Sequence, residues 1–132
     1  MDYEKLIYVC LAIGLILLTV KGPIFLQSRK AKGRRITELD GIFPSGADDQ
    51  GRFLIYFWSP SCGMCRSTTS IINALMEERA DVLSLNVLDH MELARELGIM
   101  GTPAFVLLDR QVVEKLVFGT RSRRQLLQML AD

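Results

Sequence analysis

Apolar residues are distributed along this chain in two ways. From Leu6 to Val20 they form an uncharged run, whereas from Phe53 onward they come in short blocks separated by turn residues. A helix over the first run is about 22 Å long, and Tyr3 and Lys21, both suited to an interface, extend it to about 28 Å, close to the ~30 Å core of a bilayer. Residues 1–21 therefore read as an uncleaved transmembrane anchor. Gly22-Pro23 is expected to end or kink that helix, leaving Ile24-Phe25-Leu26 at the membrane surface. A cleaved signal peptide fits less well, because Asp2 and Glu4 make the N-terminus acidic and no small-x-small site follows. A soluble helix that is apolar all round would need a larger protein to hide it.

The later blocks have shorter periods. Six apolar or aromatic residues, Phe53 to Trp58, read as a strand covered on both faces. Ser59-Pro60-Ser61 stops it, and a helix from Cys62 to about Ala80 carries Ile71, Ile72, Leu75 and Met76 at helical spacing. Val82–Leu88 is a second buried strand. His90–Leu97 is a helix with Met91, Leu93, Ala94 and Leu97 inward, closed by Gly98. Ala104–Asp109 and Val112–Phe118 form a hairpin across Arg110-Gln111. Ser122 caps a last helix, Arg123–Ala131, with Leu126, Leu127 and Leu130 inward. Residues 36–51 are a turn-rich linker with a short strand at Ile36–Leu39. The pattern is α/β, one domain over 52–132 behind an appended helix.

Charge sharpens this division. The formal net charge of +1 conceals six basic residues and no acid in 21–35, namely Lys21, Arg29, Lys30, Lys32, Arg34 and Arg35. Residues 36–132 hold nine basic against thirteen acidic residues, or −4. Residues 22–35 thus form a basic juxtamembrane collar that favours anionic headgroups. By the positive-inside rule the following domain faces the cytoplasm of a bacterial-type cell membrane, with an extracytoplasmic orientation as the alternative. No aromatic platform is interleaved with these charges, so a nucleic-acid partner is not expected.

The candidate chemistry lies at the end of the first buried strand. Cys62-Gly63-Met64-Cys65 puts two thiols three residues apart where strand gives way to helix. A helix N-terminus favours a thiolate, so Cys62 is the expected nucleophile and Cys65 the more buried resolving thiol. A disulfide closing so short a loop constrains the unfolded chain little, which favours a redox over a structural role. The Arg66 cation can favour the thiolate. A metal site is not expected, because four ligands are wanted and His90 is the only histidine. Two chains sharing one ion through Cys62 and Cys65 is the remaining metal reading. Cys10 lies inside the apolar run and reads as a buried apolar cysteine.

With these motifs in order, the chain resembles the thioredoxin superfamily over about residues 52–131. Trp58-x-x-x-Cys62-Gly-x-Cys65 matches the redox motif, Leu97-Gly-Ile-x-Gly-Thr-Pro103 the segment carrying a cis-proline, and Gly119 a glycine after the last strand. The resemblance implies a central mixed sheet flanked by helices. It implies a redox-active Cys62–Cys65 disulfide with no other cofactor. Pro103 would be cis beside that disulfide, Thr102 would offer backbone groups to an extended substrate, and Trp58 would flank the site as an apolar platform. Three positions depart from the family: Met64 replaces a common proline, and Tyr56 and Ser84 replace a buried aspartate and its lysine partner. Proton transfer from Cys65 must then use water or another group. The implied activity is a membrane-tethered thiol–disulfide oxidoreductase acting on protein disulfides, with a membrane protein as redox partner. A binding or chaperone module without turnover is the alternative.

Overall fold

The computed structural model describes residues 2–36, 42 and 51–132, with the side chains of residues 20–31 outside that description. The first helix, α1, runs Tyr3–Ala31. After it come β1 (Arg52–Trp58), α2 (Cys65–Glu78), β2 (Val82–Asn86), α3 (Met91–Leu97), β3 (Ala104–Asp109), β4 (Val112–Phe118) and α4 (Arg123–Ala131). The four strands form one sheet in the order β2-β1-β3-β4. β1 is parallel to β2 and antiparallel to β3, and β3 is antiparallel to β4. The sheet is mixed, as expected.

β1 explains why the sheet is buried on both sides. Successive side chains of a strand point to opposite faces. Phe53, Ile55 and Phe57 pack with Leu93 and Leu97 of α3. Leu54 and Tyr56 pack with Ile72 and Leu75 of α2 and Leu126, Met129 and Leu130 of α4. Several helix positions differ from the sequence pattern. Met91 is exposed, and Leu127 is only partly buried while Met129 takes its place in the core. On α2, Thr68 and Cys65 are buried whereas Met76 is exposed. In each case the helix turns a narrower stripe to the sheet than its apolar residues allow.

Local signals fix the element ends. Gly98 takes the left-handed conformation (φ 73°) that closes α3. Ser122 forms a full capping box on α4: its Oγ accepts from the Gln125 N–H, and Gln125 Oε1 accepts from the Ser122 N–H. Arg110 and Gln111 both have positive φ (49° and 65°), the two-residue hairpin geometry whose twist matches that of the flanking strands.

At the start of β2, Arg79 donates two hydrogen bonds to the Asp81 carboxylate, at 2.8 and 2.7 Å. These bonds hold the Asp81 carboxyl below its ordinary pKa. A carboxylate whose folded pKa is depressed contributes stability above its unfolded pKa and loses it as pH falls through the folded value. The pair is partly exposed, so its contribution is at most about 1 kcal/mol. Asp81→Asn should flatten the acid limb of stability by that much, measured as urea midpoints across the carboxylate range.

The N-terminal region differs most from expectation. Among the described residues, no helix is long and apolar enough to cross a membrane. The span expected over residues 1–21 is therefore not among the described elements. Nor does the helix end at Gly22-Pro23, since its backbone stays helical to Ala31. Proline removes one i→i−4 bond, but its fixed φ is helical, so the turns on either side can join. Along the described part Leu6, Val9, Leu11, Ile13, Ile16 and Leu18 are all exposed.

The collar is not merely a solvated flank. Gly33 N–H donates to Val113 O (2.7 Å), Val113 N–H to Arg34 O (2.9 Å) and Ile36 N–H to Gln111 O (2.9 Å). Residues 33–36 thus strap the free edge of β4, with Arg35 bridged to Val112 and Ile36 buried in the α3-side core. Arg34 also donates to Glu96 O at the end of α3 (2.8 Å). Of the short strand expected at Ile36–Leu39, only Ile36 is among the described residues, next to the bridge at Arg35.

Candidate active site

Three strand ends meet at one end of the sheet. β1 leaves at Trp58, β3 enters after Pro103, and β4 leaves into Gly119. Phe57 pairs with Ala104, and Ala104 with Phe118, so their neighbours converge. Gly119 N–H donates to Pro103 O (2.9 Å), and its positive φ (89°) suits glycine. The Thr102–Pro103 peptide is cis, as the resemblance implies, and Pro103 is buried.

Cys62 and Cys65 form a disulfide at this end, with Cα atoms 5.4 Å apart. The helix begins later than the sequence suggests. Met64 is the N-cap of α2 and Cys65 its first residue, while Cys62 sits in the preceding turn. Cys62 N–H donates to Ser59 O (3.1 Å) and Cys65 N–H to Cys62 O (3.3 Å), so successive turns carry the chain into the helix. Cys62 remains next to the helix N-terminus, where negative charge is favoured. The two cysteines differ in access: Cys65 is 3% exposed, whereas Cys62 is half-buried.

Beneath Cys65 lies Tyr56, fully buried and stacked on Phe105 with ring centroids 5.3 Å apart. Its hydroxyl donates to Cys65 O (3.3 Å) and shares a hydrogen bond with Thr69 Oγ1 (3.0 Å). Burial pushes the Tyr56 phenol above its ordinary pKa, and the Thr69 hydrogen bond opposes that only in part. Tyr56 is thus a neutral hydroxyl at physiological pH, a donor and not a base. Ser84 pairs with Tyr56 across β1 and β2. Thr69 was not evident as a site residue; its signal is the four-residue spacing from Cys65, which puts both on one face of α2.

We expect Tyr56→Phe to lower stability by about 1 kcal/mol, because one buried hydrogen-bonded hydroxyl is lost without a change of ring packing. The pH profile of disulfide exchange should keep its shape, since Tyr56 does not titrate in the working range. Denaturant titration and a pH series on the same variant check both parts.

Beside the disulfide is a groove of about 380 Å³ lined by Met64, Met100, Thr102, Pro103, Phe118 and Gly119. Met64 and Met100 are 59% and 71% exposed, so flexible thioether side chains form its rim. The structure brings Met64, Thr102 and Pro103 together as the sequence suggests. Trp58 does not line this groove; it is half-buried against the core on the α2 side. Gly63 and Arg66 are exposed on either side of the Met64–Cys65 step.

The thioredoxin family model matches residues 42–132. The chain belongs to the thioredoxin family. It is 30% identical over 100 residues to a thioredoxin from Alicyclobacillus acidocaldarius subsp. acidocaldarius, covering 74% of this chain and 95% of that one. It is 31% identical over 77 residues to a thioredoxin from Bacillus subtilis (strain 168), covering 55% and 74% respectively. Among solved structures, a mutant thioredoxin from Halobacterium salinarum NRC-1 superimposes with a TM-score of 0.60 at 25% identity, over 76% of this chain and 84% of that one. The matched region begins upstream of the expected boundary at 52 and includes Ile42, which packs on the α3-side core. With Cys62 and Cys65 joined as a disulfide in a member of this family, the protein is a thioredoxin-like protein-disulfide oxidoreductase.

Proposed function

We propose that this protein is a membrane-tethered reductase of protein disulfides, using Cys62 as nucleophile and Cys65 as resolving thiol. The observation that carries the reading is the unequal access of the two cysteines: Cys62 is half-buried and Cys65 is 3% exposed. The Cys62 thiolate attacks one sulfur of a substrate disulfide, forming a mixed disulfide and releasing the other substrate sulfur as a thiolate. The Cys65 thiolate then attacks Cys62 Sγ, which releases the second substrate thiolate and leaves the Cys62–Cys65 disulfide. Two electrons pass to the substrate, and an external dithiol reductant must return them. Thr102 and Pro103 would receive an extended segment of the substrate in the Met64–Met100 groove, with Trp58 buttressing the other side of the motif.

The tether rests on two supports. α1 exposes leucine, isoleucine and valine on its described length, a surface that lipid would cover. The six cations of residues 21–35 would sit at anionic headgroups and place the domain in the cytoplasm. In a cytosolic setting the resting state is the dithiol and the direction is reductive. Holding the enzyme at the membrane raises its concentration near partners without new contacts.

Topology is tested with an impermeant maleimide on Cys10→Ser spheroplasts after mild reduction. Labelling of Cys62 only after lysis is the expected result. Labelling of intact spheroplasts would place the domain outside and make its substrates exported proteins.

A further inference from the structure

Two methionines line the groove beside the disulfide, and both stand in the open. Met64 lies inside the Cys62–Cys65 loop, and Met100 lies three residues before the cis-proline. They are 59% and 71% exposed. Met76 and Met91 are less open, at 40% and 44%, and lie outside the groove lining, while Met129 is buried. The other described lining residues, Gly101, Thr102, Pro103, Phe118 and Gly119, carry no sulfur and no ionisable side chain. The two thioethers are thus the adaptable apolar surface of the groove and, once the cysteines are joined, its most oxidisable atoms.

A peroxide reaching this face of the reduced enzyme meets the cysteines first. The Cys62 thiolate attacks one peroxide oxygen, the O–O bond breaks, and a sulfenic acid and hydroxide form. The Cys65 thiol then attacks the Cys62 sulfur, water leaves, and the disulfide results. With no thiolate left, the exposed thioethers are the next nucleophiles. A methionine sulfur attacks one peroxide oxygen, the O–O bond breaks, and a sulfoxide and water are the products. The sulfur gives up two electrons and the peroxide gains them. Each such event puts a polar S–O group where an apolar side chain stood. A dithiol that reopens the disulfide leaves the sulfoxides in place, and their removal needs a methionine sulfoxide reductase.

We propose that Met64 and Met100 are oxidative modification sites whose sulfoxides weaken docking of a substrate protein until they are reduced. This rests on the groove receiving the substrate, as in the reading above, and adds a regulatory input to it. The loss falls on docking, so KM rises more than kcat falls. Exposure sets the order of oxidation: Met100 and Met64 go ahead of Met91 and Met76.

The test uses the full chain with Cys10→Ser, held as the Cys62–Cys65 disulfide and treated with hydrogen peroxide. Beside it runs the same chain carrying Met64→Leu and Met100→Leu, a swap that keeps apolar bulk at two exposed positions and takes up no oxygen. Peptide mapping locates the sulfoxides. The peroxide is then removed, and reduction of a disulfide-bonded protein by excess dithiol is compared before and after treatment of each chain. The expected result is sulfoxide first at 100 and 64, with a several-fold loss of kcat/KM carried mainly by KM. The doubly substituted chain, which retains Met76 and Met91, should show no such loss on treatment. Equal losses in the two chains, full activity with both sulfoxides mapped, or sulfoxide first at 91 and 76 would overturn the proposal and leave the reductase reading standing. An untreated chain that reduces no protein disulfide overturns the reductase reading, and the proposal with it.

Discussion

Replacing Cys62 by serine should reduce turnover of a disulfide-bonded protein by at least about a thousandfold, the scale on which loss of a covalent nucleophile acts. The expectation follows from geometry. Cys65 is buried beneath the turn, so no second thiol at the site can begin the exchange in place of Cys62. A serine hydroxyl fits the same space but is not ionised near neutral pH and is a poor partner for disulfide sulfur. Stability should change little, because Cys62 is only half-buried and its disulfide closes a loop of very few residues. The check is the initial rate of substrate reduction with excess dithiol, compared with the parent chain at equal folded concentration.

The second large effect is structural. Phe105→Ala should destabilise the domain by about 3–5 kcal/mol, the range for emptying a buried aromatic site. Phe105 is fully buried near the start of β3, stacks on Tyr56, and packs in the cluster shared by α2 and α4. Its removal opens a cavity that neither helix can close without leaving the sheet. Against a total stability of about 5–15 kcal/mol, that loss is a large fraction. Because Tyr56 would lose its stacking partner, the hydroxyl contact with Cys65 O should loosen as well. Chemical denaturation of the oxidised and reduced forms measures the loss, and Phe105→Leu should recover much of it.

Much of this architecture is written locally. The unbroken apolar run from Phe53 to Trp58 reads as a strand covered on both faces, and β1 is that strand. Gly98 and Ser122 mark helix ends through their own backbone and side-chain chemistry. The Arg110-Gln111 hairpin was readable from the strands on either side. The two cysteines, Pro103 and Gly119 were identifiable because family motifs carry them together. What the sequence concealed was non-local. Arg34-Arg35 looks like a solvated charge cluster, yet its backbone bonds to β4, and backbone hydrogen bonds leave no mark in residue type. Thr69 lies one helical turn from Cys65, but that spacing gains meaning only when the Tyr56 hydroxyl is seen bonded to it. The residues after Cys62 permit a helix that starts there, whereas two turn hydrogen bonds hold Cys62 just outside α2. Met129 displaces Leu127 from the core because the exact facing of a short helix depends on the sheet beneath it.

The most direct measurement is to trap the exchange half-way. Cys65→Ser in a Cys10→Ser background leaves Cys62 as the sole thiol, and the reduced protein is mixed with a disulfide-bonded protein substrate. Intact-mass spectrometry followed by peptide mapping locates any adduct. The account predicts a stable mixed disulfide through Cys62 that releases on adding dithiol. If the folded variant forms no adduct under conditions where the parent chain reduces that substrate, Cys62 is not the attacking group and the account fails.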